Sequence, residues 1–177
     1  MVKFYEILSK KEKKQKNSEN KMKIIIDHRE KNSLVASELV HLGCEIEFKH
    51  IEVGDYLIGQ ITIERKTVSD FISSMLNKRL LKQLENMKEL KEKLLIIEGI
   101  EEQELLNEES ALHPNAIRGM LLSILLKYNV PIIFSKDYKD TANFIDVLSR
   151  KQEREISLFA KRKSSNVKEQ MQYILES

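Results

Sequence analysis

Three short apolar runs constrain the fold of this chain more than any other feature. Ile24-Ile25-Ile26, Leu94-Leu95-Ile96-Ile97 and Ile132-Ile133-Phe134 are aliphatic, β-branched or aromatic throughout and too short for helices. Such runs read as buried strands, which need helices to cover them. The intervening sequence supplies helices. Asn32-Ser33 can cap one over Leu34, Val35, Leu39, Val40 and Leu42, ended by Gly43. Phe71, Ile72, Met75 and Leu76 share one side of a helix from about Val68, and Leu80, Leu84, Met87 and Leu90 share a side of another over Arg79 to Lys91. His113-Pro114-Asn115 opens a helix from Ala116 to about Tyr128, and Asp140 or Thr141 caps one through Phe144, Ile145 and Leu148. Glu45 to Val53 suits a further strand, and Tyr56-Leu57-Ile58, Gly59-Gln60 and Ile61 to Lys66 read as a hairpin turned at the glycine. The predicted class is α/β: a central mixed sheet with helices on its faces.

Charge divides the chain into a body and two flanks. Residues 1–23 hold eight lysines and three glutamates, a net of +5, and read as a basic tail or linker over residues 1–20. Residues 149–163 hold six basic and two acidic side chains, a net of +4. The body between them, 24–148, carries 15 basic and 21 acidic groups, the opposite of what a module that merely coats DNA shows. Six of its acids lie between Glu98 and Glu109 and read as a solvated acidic loop and short helix. After Arg150 a charged linker breaks at Ser164-Ser165-Asn166. Val167, Met171, Ile174 and Leu175 then begin an amphipathic segment that stops at Ser177, as at the start of a following module. The expected division is therefore 1–20 tail, 21–150 folded domain and 151–177 linker with a module begun. Met120 to Leu126 is the most apolar stretch and falls far short of the ~20 residues a membrane span needs. The single Cys44 and the absence of an apolar leader suit a reducing, intracellular compartment.

The chemistry concentrates in the hairpin. Side chains alternate along a strand, so Glu64 and Lys66 share a face with Thr62, while Ile61, Ile63 and Arg65 point the other way. The hairpin returns Asp55 to the neighbourhood of its second strand, and Asp27 ends the first buried strand, where a lone charge is expensive. Carboxylates and an ammonium converging at one edge could hold Mg²⁺ or Mn²⁺ against a phosphate and align water for attack on it. The spacing alone does not decide the matter. Glu64-Arg65-Lys66 could equally be an edge strand whose charges prevent aggregation, and Asp70 suits the first turn of a helix as well as a supporting catalytic role.

A longer pattern carries more information. Ile24-Ile25-Ile26-Asp27-His28-Arg29-Glu30, Val53-Gly54-Asp55-Tyr56 and Ile63-Glu64-Arg65-Lys66-Thr67-Val68-Ser69-Asp70 closely resemble the nuclease domain of the XPF family of structure-specific endonucleases. Leu112 to Gly119 and Val130 to Ser135 are most similar to the archaeal helicase–nuclease branch of that family, Hef. The resemblance implies a restriction-endonuclease-like core that cuts branched DNA (forks, flaps, splayed arms) near the junction with Mg²⁺ or Mn²⁺. It implies metal-binding and catalytic roles for Asp27, Asp55 and Glu64, and a catalytic role for Lys66. Arg65 and Asp70 join the catalytic set, and Arg29, Glu30 and Arg65 support the site or contact DNA. In such proteins a helicase domain lies upstream and helix-hairpin-helix modules follow. A non-catalytic scaffold of the same fold is the alternative; it would be marked by loss of the acids or the lysine, and all are present here.

The helix at 116–128 is apolar at Ile117, Met120, Leu121, Ile124, Leu125 and Tyr128 and also at Leu122 and Leu126, too wide a stripe for one core-facing side. Burial between layers of one protomer is one explanation and a partner copy another. With the family's dimerisation habit, the expectation is a two-fold homodimer using Ile117, Met120, Leu121, Ile124, Leu125, Tyr128, Ile145 and Leu148. The four histidines show no zinc spacing; His113 suits a helix cap and His50 a strand.

Overall fold

The computed structural model describes residues 21–99 and 112–176. The basic tail expected over 1–20 and most of the acidic run toward Glu109 lie outside the described residues. The described part divides into two compact units, one spanning 23–149 and the other comprising Met22 and residues from Arg150 onward. In the second unit the Met22 N–H donates to Glu153 Oε1 at 2.5 Å.

The larger unit is built on a six-stranded sheet in the order β2-β1-β3-β4-β5-β6. The strands are β1 (Ile24–Asp27), β2 (Ile46–Lys49), β3 (Tyr56–Ile58), β4 (Ile61–Thr67), β5 (Glu92–Glu98) and β6 (Ile132–Ser135). Only β3 runs against its neighbours; β1–β2, β4–β5 and β5–β6 pair in parallel. The sheet is mixed, as its buried runs predicted. Gly59, at φ 60, opens the two-residue turn that joins β3 to β4. Because β4 lies between β3 and β5, the reading of Glu64-Arg65-Lys66 as an edge strand is wrong.

Among the described residues the α-helices are α1 (Leu34–His41), α2 (Val68–Leu76), α3 (Arg79–Lys88), α4 (Pro114–Leu126) and α5 (Tyr138–Glu176), the last running from this unit into the other. Their starts are set by side-chain caps. Ser33 accepts from the Val35 N–H and Thr67 from the Asp70 N–H, and His113 Nδ1 accepts from the Asn115 N–H. Asp137 caps α5 by accepting from the Asp140 N–H, so the helix starts earlier than a cap at Asp140 or Thr141 would allow. The expected break at Ser164-Ser165-Asn166 is helical. Each serine or asparagine costs less than ~0.7 kcal/mol in a helix already propagating, too little to stop one.

One core lies among α2, α3, α4 and the sheet, with Phe71, Leu80, Leu84, Met87, Leu95, Ile97, Ile117, Ile124 and Tyr128 buried together. This corrects the expected interface. Ile117, Ile124 and Tyr128 are taken up by the protomer's own core, and Ile145 is fully buried as well. Met120 and Leu121 pack partly against that core, and Leu148 is half-buried. Among the exposed apolar groups are Leu122, Leu125 and Leu126 on α4 and Phe144 and Val147 on the first part of α5. The stripe is wide because the helix fills its own core and still exposes leucines on its far side.

Candidate active site

Strand parity decides which side chains can meet. Ile26, Tyr56 and Ile63 are register neighbours, all fully buried. Asp27, Asp55 and Glu64, each one residue away from them, fall on the opposite face, and Lys66 joins Glu64 two residues on. The backbone continues the ladder past β3: the Asp27 N–H donates to the Asp55 carbonyl at 2.8 Å, and the Asp55 N–H donates to the Ile63 carbonyl at 2.7 Å. Gly54 makes that approach possible. Its φ is +88, and a Cβ there would lie 2.4 Å from Thr62 Cγ2 and 3.0 Å from the Ile63 carbonyl oxygen.

Asp55 and Glu64 form the centre. Asp55 Oδ2 accepts from the Arg65 N–H at 2.8 Å. Burial, and then the neighbouring Glu64 charge, push the Asp55 carboxyl up to about 7; the Arg65 N–H bond and the Lys66 charge oppose that rise and Glu30 adds to it. Glu64 is 7% exposed. Its Oε1 receives Lys66 Nζ at 3.1 Å and Gln83 Nε2 at 2.7 Å.

Asp27 is buried and fully engaged. Its Oδ1 accepts from the Arg29 N–H at 2.9 Å and Arg29 Nε at 2.6 Å, and its Oδ2 accepts from the Ile51 N–H at 2.7 Å. His50 Nδ1 lies 3.6 Å from Oδ2. Burial alone would raise the Asp27 carboxyl; these donors, Arg29 foremost, hold it well below the usual carboxylate range. The guanidinium of Arg29 is held above its ordinary value, first by the Asp27 bond and also by the charges of Asp55 and Glu64. Its side chain remains 66% exposed.

Arg65 serves the other face. Its Nε lies 2.8 Å from Glu98 Oε2, its Nη2 bonds Glu98 Oε1, and its Nη1 is 3.4 Å from Glu30 Oε2. Thr141 Oγ1 donates to Glu98 Oε2 at 2.6 Å and lies 2.7 Å from Ser135 Oγ, while the Tyr56 hydroxyl donates to Glu30 at 3.0 Å. Glu98, expected to begin a solvated acidic run, instead ends β5, is 7% exposed and is bonded by Arg65 and Thr141. Asp70 exchanges hydrogen bonds with Thr67 Oγ1 at 2.9 and 3.1 Å, which makes it the third-position acid of a helix cap.

The structure thus brings Asp55, Glu64, Lys66 and Arg29 together, sets Asp27 behind Arg29, and sends Arg65 and Glu30 across the sheet. Sequence reasoning missed Gln83, Glu98 and His50. Gln83 had a signal: it stands at helical spacing among Leu80, Leu84 and Met87, a polar residue beside a core stripe. No group of three or more His, Cys, Asp or Glu placed to hold a metal occurs among the described residues. Two carboxylates are a sparse donor set, of the kind that suits a hard cation keeping most of its water. The fit is electrostatic as well: Asp55 rises to about 7 because burial and Glu64 disfavour its charge, and a divalent cation would relieve both.

Comparisons with known proteins identify relatives of the chain. The ERCC4 domain matches residues 26–148. A protein of Methanocaldococcus jannaschii named as an ATP-dependent RNA helicase is 38% identical over 161 residues, which cover 88% of this chain and 19% of that protein. The 3′-flap repair endonuclease Xpf of Saccharolobus solfataricus is 32% identical over 165 residues, 88% of this chain and 69% of its own length. XPF from Aeropyrum pernix, solved in complex with DNA, superimposes with a TM-score of 0.68 at 30% identity, over 75% of this chain and 66% of that one. The chain therefore spans about a fifth of the helicase relative and about two thirds of the XPF proteins. The fold is restriction-endonuclease-like, as in those nuclease domains. From the domain match and the identity to the Saccharolobus solfataricus endonuclease, the chain belongs to the ERCC4-domain family, that of the XPF endonucleases.

Proposed function

We propose that this chain is the nuclease part of a DNA endonuclease that hydrolyses a phosphodiester near the junction of branched DNA with the help of Mg²⁺ or Mn²⁺. The observation that carries the reading is the shared face of Asp55, Glu64 and Lys66, with Glu64 buried and its charge felt by the half-buried Asp55. Asp55 and Glu64 would hold the cation. When bound, it supplies positive charge that neutralises the phosphate and acidifies nearby water. Lys66, already on Glu64, is placed to align attacking water and to offset negative charge that develops on the phosphoryl oxygens. Asp27 tunes the site through Arg29, whose exposed guanidinium can reach a DNA phosphate. Arg65 and Glu30 support β4 from behind, and Asp70 supports α2. The test is cleavage of a labelled fork or flap with Mg²⁺ by the parent, Asp55→Asn and Lys66→Ala. Loss of cutting in both variants is expected, and full cutting by either rejects the assignment.

We also propose a two-fold homodimer, now through the leucines left exposed on α4 and through Phe144 and Val147. The support is that this apolar surface remains after the protomer's core is filled. A monomeric mass by light scattering at micromolar concentration would end that reading.

A further inference from the structure

We infer that Gln83 is a positioning residue of the cation site, a role that rests on the assignment of Asp55 and Glu64 to that site. Gln83 sits on α3, whose Leu80, Leu84 and Met87 are buried in the core, so the backbone that carries it is anchored. Its Nε2 donates to Glu64 Oε1 at 2.7 Å. A carboxylate only accepts, so the amide must turn its nitrogen toward Glu64 and its oxygen away. That oxygen, Oε1, is buried and has no hydrogen-bond partner; it is the one such side-chain atom among the described residues. An unpaired buried carbonyl is destabilising unless it serves something. Lys66 Nζ also lies on Glu64 Oε1, at 3.1 Å. Both protein donors therefore load the same oxygen of Glu64 and leave the carboxylate's second oxygen to the cation. The amide adds no charge, so it fixes the carboxylate without weakening its pull on a divalent ion, as a second cation would. The buried oxygen is out of water's reach, so it is the cost of presenting the nitrogen to Glu64, and the donor alone carries the role.

The test is Mn²⁺ titration of the full chain by calorimetry, with thermal unfolding in EDTA and steady-state cleavage of a labelled fork. Gln83→Met keeps the volume and removes both the donor and the orphan acceptor. Its unfolding midpoint in EDTA should equal or exceed the parent's, while Mn²⁺ affinity falls about tenfold, the usual size of an outer-shell loss. Cleavage should lose kcat with little change in KM for DNA. Gln83→Ala, which removes the amide and leaves space, should show the same loss of Mn²⁺ affinity and serves if the methionine variant does not fold. A folded variant at Gln83 with parental Mn²⁺ affinity overturns the inference. So does a variant whose only defect is lower stability in EDTA, which is what a purely structural glutamine gives. Asp55→Asn separates the two readings. If the parent binds Mn²⁺ and Asp55→Asn does not, the site stands and the Gln83 result is judged alone; if the parent binds none, both readings fall.

Discussion

Removing the Arg65 guanidinium tests the claim that this residue holds the sheet together and does not act on substrate. In Arg65→Met, Glu98 loses both of its guanidinium bonds and Glu30 loses its nearby cation. Glu98 is only 7% exposed, so water cannot replace what is lost. Taking one partner from a buried pair costs about 3–5 kcal/mol, because the other is left charged and unpaired. For a unit spanning residues 23–149, that corresponds to a fall of roughly 10–20 °C in the unfolding midpoint. The Thr141 hydroxyl is a lesser tie to the same carboxylate, and Thr141→Val should cost about 1.5–3 kcal/mol, the value of a hydrogen bond to a charged group. The decisive comparison is Arg65→Met with Glu98→Leu, alone and together. If the pair is the reason for the cost, the double variant should recover about 2–3 kcal/mol relative to the sum of the singles. Urea unfolding in EDTA measures each term. A cost below about 1 kcal/mol for Arg65→Met, or singles that merely add, would refute the reasoning and return Arg65 to the substrate side.

Other outcomes follow from the same geometry. Asp55 has its carboxyl at about 7 in the folded chain, above the ~3.9 of an unfolded aspartate, so the native state holds a proton that the unfolded state releases between those values. Stability without metal should therefore fall as pH rises from about 4 to about 7. Asp55→Asn should flatten that slope, which urea midpoints across pH will show. Asp27 has the opposite sign: its carboxyl is held low, so its contribution is present above about pH 4 and lost below. Gly54→Ala should lower stability by about 2–4 kcal/mol, from the left-handed backbone and the clash with Thr62, and should abolish cleavage by displacing Asp55. Leu126→Glu on the exposed side of α4 should convert the proposed dimer to monomer by light scattering while leaving the circular dichroism spectrum unchanged.

Much of this was legible in the chain because periodicity reports burial directly. The isoleucine runs gave β1, β5 and β6, and Gly59-Gln60 gave the hairpin. Alternation alone placed Glu64 with Lys66 and Arg65 opposite. Other features depend on partners distant in sequence. Nothing local says that Glu98 leaves its acidic run to meet Arg65, since the parallel pairing of β4 with β5 creates that meeting. His50 approaches Asp27 because the segment after β2 is irregular, where strand alternation does not apply. Ile117, Ile124 and Tyr128 go to the core and not to an interface for a related reason: a helix apolar on most sides does not reveal which side its own sheet will claim.

The reversed strand β3 is three residues long and is all that joins the β1–β2 half of the sheet to the β4–β6 half. Asp27 comes from one half, Glu64 and Lys66 from the other, and Asp55 from the seam itself. These four side chains therefore cannot come together in a partly folded chain, because each half alone brings only some of them. Whatever chemistry this pocket performs can begin only once the whole sheet has closed.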